Sequence, residues 1–415
     1  MKIMKSAMGG RALALAGLLT GMLLSGAATA AVEGTAYAID GTCEGFPRLP
    51  LKTAPGFCVG LAATGMPMPR GVLPMADGSV LITDMGGWGA GKGQLFRLVR
   101  KQGGFDRITL LSGLNRPHGL QLGPDGQVYL GEDNRISRFN PADANPKLTT
   151  VLDNLPGDGR HPIKTFVFAK DGSLFVNFGS ATDNCEGQID ASKPVLQSCK
   201  DMETPNPRAS IWHYTQKDGQ WQGELYARGL RNSMALAINP DTGALWQAEN
   251  SRDYINRKIP GMTNDENLPH EELNLIQQGG HYGWPYCYDN NVAAPEFAKA
   301  DCSKLSKPVR LIPGHAAPLG MAFYDAPGAL ATWRGSLIMG WHGYRNNGHR
   351  LVAYRFGKDG MPQGDYQELI SDWADTPGKH PMGAPTDIKV DREGTIWITE
   401  DRNGTLLVLA PIKMH

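Results

Sequence analysis

Six cysteines in 415 residues are few, and none is spaced as C-x-x-C or C-x-x-C-H. That removes a zinc ribbon and a covalently attached c-type haem. No H-E-x-x-H and no G-x-S-x-G occur, so zincin and α/β-hydrolase chemistry have no foothold. Past the first thirty residues no apolar run is long enough to span a bilayer, and no basic stripe offers itself to nucleic acid. Charge of neither sign is in excess, with 41 basic and 41 acidic side chains. One phosphate-loop look-alike, Gly86-Gly87-Trp88-Gly89-Ala90-Gly91-Lys92-Gly93, ends in Gly instead of Ser or Thr. It runs into the strand pattern QLFRLV, so no helix N-terminus follows to hold a phosphate.

What is present begins with a targeting segment. Lys2, Lys5 and Arg11 precede and flank the apolar run Ala12–Leu24, and Ala28-Thr29-Ala30 is an A-x-A cleavage site. Cleavage after Ala30 predicts a periplasmic or secreted protein with no membrane span, carrying 38 basic against 41 acidic residues. An even number of cysteines in an exported chain favours disulfides. The sequence-local pairs Cys43–Cys58, Cys185–Cys199 and Cys287–Cys302 would each close one short loop, worth roughly 3 kcal/mol if unstrained.

With 52 glycines and 29 prolines set between apolar runs, the chain reads as all-β. A pattern of short strand, polar glycine turn and short strand recurs at Gly71–Thr83, Gly119–Gly131, Thr165–Phe178, Ala235–Ala248, Met321–Gly340 and Asp387–Thr399. Third strands are expected at Gln94–Val99, Arg135–Phe139, Arg350–Phe356 and Thr405–Leu409. Repeats too small to bury their own faces stack radially. The expectation is a six-bladed β-propeller of four-stranded antiparallel blades over residues 69–415. A lead-in over residues 31–68 would precede it, with one closing strand near Thr35–Ile39.

The segments where the chain enters each hairpin are polar: LNRPHG (114–119), GRHPIKT (159–165), RGLRNS (228–233), WHGYRNNGHR (341–350) and KHPMGAPTD (379–387). Equivalent positions in a propeller face one mouth. His118, His161, His342, Arg231, Lys164 and Arg345 would then ring one cationic pocket suited to a small anionic ligand. Glu249–Glu272 concentrates Asp, Glu and Asn on an irregular stretch, which suits calcium, without the order of an EF-hand.

Four stretches carry a resemblance: HPIKTFVFAKDGSLFVNFG, YARGLRNSMALAINPDTGALWQAE, EELNLIQQGGHYGWPYC and GTIWITEDRNGTLLVL. Together they make the chain resemble the soluble quinoprotein sugar dehydrogenases, the glucose/sorbosone dehydrogenase family, over about Arg70 to Pro411. The G-x-Y-G-W-P piece at Gly280–Pro285 is the most specific, and the W-H-G piece is closer to the sorbosone branch. The resemblance implies pyrroloquinoline quinone (PQQ) with calcium, and oxidation of an aldose or sugar aldehyde at C1. It implies His161 as general base and Arg231 as the group that polarises the quinone, with Asn232 beside it. It puts the calcium on backbone carbonyls at about Ser251 and Arg252. The cofactor's carboxylates would meet Lys164, Arg345, Arg350, His118 and His342. His161, near its ordinary pKa of ~6.5, would take the hydroxyl proton. A separate cytochrome or quinone would accept the electrons. Two departures stand out: Arg160 replaces the aspartate that glucose enzymes carry before the histidine, and GAPTD (383–387) lacks an arginine found in some members. The competing readings are a non-enzymatic binding propeller and a metal-dependent lactonase, which the same fold could also host.

Overall fold

The computed structural model describes residues 37–101, 104–371, 373 and 383–413. The expected signal segment, its expected cleavage site and Lys379 lie outside them. The blades follow chain order. The first is Pro69–Pro74, Val80–Asp84, Gly93–Lys101 and Gly104–Leu114. The second is Leu120–Leu122, Val128–Gly131, Ile136–Phe139 and Thr149–Leu152. The third is Phe166–Phe168, Leu174–Phe178, Ser210–Lys217 and Gln220–Arg228. The fourth is Ala235–Ile238, Leu245–Glu249, Glu271–Ile276 and Arg310–Ile312. The fifth is Pro318–Phe323, Leu337–Trp341, Arg350–Phe356 and Pro362–Ser371. The sixth takes Pro385–Val390, Ile396–Glu400 and Thr405–Pro411 from the C-terminal end. The first strands of the six blades contact one another in sequence, and the sixth returns to the first, so they form a closed ring.

The six hairpins are therefore six blades, and two details differ from expectation. Blades hold four to six strands, because Gly280–His281 adds to the third in parallel and Lys52–Thr53 adds to the fifth. The ring is closed by Phe57–Ala63, which pairs antiparallel with Thr405–Pro411 inside the sixth blade. Tyr37 lies in a single bridge, and no strand covers 37–39. The lead-in is thus built into the propeller: Phe46–Leu49 pairs outside the closing strand, Thr42–Cys43 pairs outside that, and Cys43–Cys58 ties this outermost strand to the closing one. The other two disulfides are Cys185–Cys199 and Cys287–Cys302, as expected.

The hairpin turns share one chemistry. Asp171 Oδ1 accepts from Ser173 N at 2.9 Å, and Gly172 takes φ +83°, a region open to glycine at no steric cost. Asp77 and Ser79 repeat the bond. At the opposite end the inner strands crowd the axis. A Cβ on Gly71 would lie 2.1 Å from the carbonyl oxygen of His118, so the first two blades can approach this closely only with glycine there. That approach brings the residues flanking the inner strands to one mouth. There Met85, Ile163, Met234 and Leu319 pack with Met68 in one apolar floor drawn from four blades.

Candidate active site

His161 stands where the chain enters the third blade. Gly179 lets the strand end pass against it, since a Cβ there would lie 2.6 Å from the His161 Cβ. The ring Nδ1 is 3.0 Å from the Ser180 carbonyl oxygen and 2.9 Å from Ser180 Oγ. Ser180 Oγ spends its own hydrogen on the Thr182 carbonyl at 2.6 Å, so it too accepts. A carbonyl can only accept. The proton therefore sits on Nδ1, and Nε2 keeps a lone pair. Burial, with Arg231 adding to it, holds the pKa of His161 well below the ordinary histidine value. The sequence-based expectation of an ordinary pKa is corrected, because desolvation and a neighbouring cation both disfavour imidazolium.

Arg231 is buried beside it. Its Nε donates to the Asp183 carbonyl at 3.1 Å, and its Nη2 to Asp183 Oδ1 at 2.6 Å. Nη1 donates to the Asn250 carbonyl at 2.8 Å. Asp253 Oδ2 lies 3.4 Å from Nη2 and 2.9 Å from Arg160 Nη2, so the unexpected Arg160 is neutralised on the rim. Asn232 donates its backbone N–H to Glu249 Oε1 at 3.0 Å, while its half-buried side chain forms no hydrogen bond among the described residues. Burial pushes the Glu249 and Glu271 carboxyls up to about 7 and about 8.

Across the mouth, Arg70 donates from Nη1 to Asp401 Oδ2 at 2.6 Å and from Nε to His118 Nδ1 at 3.3 Å. Both partners of the Arg70–Asp401 ion pair are 6% exposed at the side chain. His342 Nε2 sits 3.0 Å from Asp401 Oδ1. Burial alone would raise the Asp401 carboxyl, but His342 and Arg70 outweigh it and hold it below the usual range. Burial, then Arg70, pushes His118 well below the ordinary histidine value. Arg70 Nη2 forms no hydrogen bond among the described residues. Near His342 and Arg402, His349 is held by the Gly383 carbonyl at 2.6 Å, and its buried Nε2 has no hydrogen-bond partner among the described residues.

His161, Arg231 and Asn232 thus come together on one side, and His118 and His342 on the other. Three expected cations go elsewhere. Lys164 is fully buried, with Nζ on the carbonyls of Pro156 and Pro162 at 2.6 and 2.7 Å; burial lowers its pKa to about 7. Arg345 pairs with Asp265 at 2.6 Å. Arg350 turns along its blade to Glu368 at 2.6 Å. Each has an oxygen partner nearer than the mouth. Ser251 and Arg252 lie just past the Leu245–Glu249 strand. Their side chains are occupied, Ser251 Oγ on the His270 carbonyl at 2.7 Å and Arg252 Nη1 on Glu296 at 2.7 Å. Their backbone carbonyls accept no hydrogen bond among the described residues. No group of three or more His, Cys, Asp or Glu able to hold a metal exists among the described residues.

Sequence reasoning missed Arg70, Asp401, Asp183 and Ser180. A signal for two of them was present. Pro69-Arg70-Gly71 occupies in the first blade the place of Pro117-His118-Gly119 in the second. Asp401 follows Glu400 as Asp133 follows Glu132 and Asn250 follows Glu249. In that repeat the glutamate accepts a backbone N–H from the incoming loop, and the next residue turns to the mouth.

The family model described as TrAA12-like matches residues 51–411. A pyrroloquinoline quinone-dependent sugar dehydrogenase of Hypocrea jecorina is 24% identical over 410 residues, covering 86% of this chain and 88% of that protein. An aldose sugar dehydrogenase of Escherichia coli is 26% identical over 288 residues, 63% of this chain and 71% of that one. Among solved structures, the calcium structure of a Trichoderma reesei family AA12 enzyme superposes with a TM-score of 0.70 at 22% identity, covering 87% of this chain and 97% of that one. The PQQ domain of a pyranose dehydrogenase from Coprinopsis cinerea gives 0.69 at 18%, covering 89% and 99%. These structural likenesses are likenesses of fold. The match of the family model over nearly the whole propeller settles membership: the chain belongs to the TrAA12-like family.

Proposed function

We propose that the chain is a PQQ-dependent dehydrogenase oxidising an aldose or a sugar aldehyde of the sorbosone type at C1. The observation that carries this reading is the fixed tautomer of His161, with an unprotonated Nε2 at the mouth beside Arg231. The names of the relatives point the same way. The residues suit the cofactor. An anion bearing several carboxylates meets Arg70 Nη2, His118, His342 and the Asn232 amide. The unpartnered carbonyls of Ser251 and Arg252 are hard oxygen donors of the kind calcium takes. Bound PQQ would supply the quinone that accepts the C1 hydrogen as a hydride, which carries both electrons of the oxidation.

The protein's own part is then a division of labour. His161 Nε2 removes the proton of the C1 hydroxyl. Arg231 directs an N–H at oxygen that gains negative charge, and its fixed bonds mean no reorganisation at that moment. The methionine floor keeps water from below. The reoxidising partner is a separate cytochrome or quinone. Residues 1–30, read as a signal segment, support a periplasmic or secreted protein; no helix among the described residues is long and apolar enough to cross a membrane.

The test is a PQQ titration of apo-protein with and without calcium, followed by absorbance, then addition of an aldose with an artificial electron dye. Saturable binding and sugar-dependent bleaching are expected. A folded protein that binds no PQQ would leave a binding propeller. Lactone hydrolysis with metal alone would replace oxidation with hydrolysis.

A further inference from the structure

We infer that Asp183 is the positioning residue for Arg231, and that one stapled loop, Ala181–Asp201, sets both groups of the proposed chemistry. The inference rests on the reading of Arg231 given above. Asp183 grips the guanidinium side-on with two oxygens, its carbonyl on Nε at 3.1 Å and Oδ1 on Nη2 at 2.6 Å. With Nη1 on the Asn250 carbonyl, the guanidinium plane is fixed on three sides, and one Nη1 hydrogen is left without a protein partner among the described residues. A planar fork held at three atoms loses little freedom when that last hydrogen meets an oxygen.

Asp183 is itself held. Its carbonyl also accepts from Trp284 Nε1 at 2.9 Å, and Oδ1 accepts from Asp253 N at 3.1 Å. Its own N–H donates to Glu186 at 3.1 Å. The loop is closed by Cys185–Cys199, both fully buried in one cluster with Trp284 and Tyr286. Thr182 Oγ1 caps Cys185 N at 2.9 Å, and Asp201 anchors Ala181 N at 2.7 Å. The same loop takes the Ser180 hydroxyl hydrogen on the Thr182 carbonyl, which obliges Ser180 Oγ to accept from His161. Asp253, the other carboxylate near Arg231, is partly exposed and more distant, and lies nearer to Arg160, at 2.9 Å, than Asp183 does, at 3.9 Å.

The experiment compares wild type, Asp183→Asn and Asp183→Ala as full chains. In apo-protein labelled with 15N-arginine, the Nε–H of Arg231 should exchange slowly with solvent, and at least tenfold faster in Asp183→Ala. At saturating PQQ and calcium, kcat should fall about tenfold in Asp183→Asn and about a hundredfold in Asp183→Ala. The sugar KM should stay within threefold, and added formate should restore part of the Asp183→Ala rate. Wild-type kcat in Asp183→Asn, or a loss seen only as lower melting temperature and weaker PQQ binding, overturns the proposal. An inactive wild type would count against the dehydrogenase reading alone, because the exchange of Arg231 still tests the grip.

Discussion

His161 and Arg231, at the entries of the third and fourth blades, have a counterpart pair in His118 and Arg70, at the entries of the second and first, and the two rings are bonded in opposite senses. His161 Nδ1 meets a carbonyl, so it carries the proton and Nε2 is a base. His118 Nδ1 accepts from Arg70 Nε, so its proton sits on Nε2 and the ring can only donate to what lies beyond. The arginines differ as well. Arg231 is gripped by the Asp183 carboxylate and two carbonyls from neighbouring loops, with Asp253 as a looser second carboxylate, whereas Arg70 shares Asp401 with His342 across three blades. On the proposed reading, the same residue types would thus serve proton removal on one side and ligand holding on the other. The partner of Nδ1, not the residue type, decides which.

The largest effect should come from breaking the base. His161→Ala should lose at least about 10²-fold in kcat while still binding PQQ. His118→Ala should act through ligand affinity, with kcat within a few-fold of wild type. Steady-state rates with an artificial dye read both variants. Equal losses of kcat in the two would erase the distinction between base and donor.

Next comes the holding side. Arg70→Met strips Asp401 of its buried partner, and breaking such pairs costs about 3 kcal/mol or more. Arg350→Met removes a solvent-reachable pair with Glu368 and should cost within about 1 kcal/mol. Urea denaturation of both variants compares them directly. An Arg70 variant as stable as the Arg350 variant would mean that Asp401 is satisfied by His342 alone.

How much of this was legible in the sequence depends on the range of the signal. The blades were legible because each hairpin is local, with short apolar strands on either side of a polar glycine turn such as Asp171-Gly172. The disulfides were legible for the same reason. The closing strand Phe57–Ala63 was misplaced because its partner, Thr405–Pro411, lies at the far end of the chain. In the site, His161, Arg231 and Asn232 stand in distinctive local motifs. Lys164 and Arg350 stand in motifs too, but a long side chain goes to the nearest oxygen, and sequence does not say where that is. Arg70 and Asp401 are over 300 positions apart, and only alignment of the repeats against one another places them together.

The pH dependence should separate the two sides by a smaller margin. Burial and Arg231 place the pKa of His161 below 6.5, so the ring stays neutral as pH falls through the ordinary histidine range. The acid limb of kcat/KM should therefore lie below pH 6.5, with activity lost only once His161 protonates. Rates measured from pH 8 down to pH 4 will show it. A limb at or above 6.5 would mean that the titrating base is a group other than this ring.

The smallest effect tests which oxygen sets the tautomer. Ser180 offers His161 Nδ1 two acceptors, its carbonyl at 3.0 Å and its hydroxyl at 2.9 Å. Ser180→Ala removes only the second. One hydrogen bond is worth about 0.5–1.5 kcal/mol net, so a loss of roughly twofold to tenfold in kcat is expected. The carbonyl remains, and a carbonyl still demands a proton on Nδ1. The 15N shifts of the ring should therefore report the same tautomer in the variant as in wild type. A switch of the proton to Nε2 would show that the hydroxyl, oriented by Thr182, had been the deciding acceptor. The base would then depend on the loop's side-chain bond, where His118 depends on Arg70 alone.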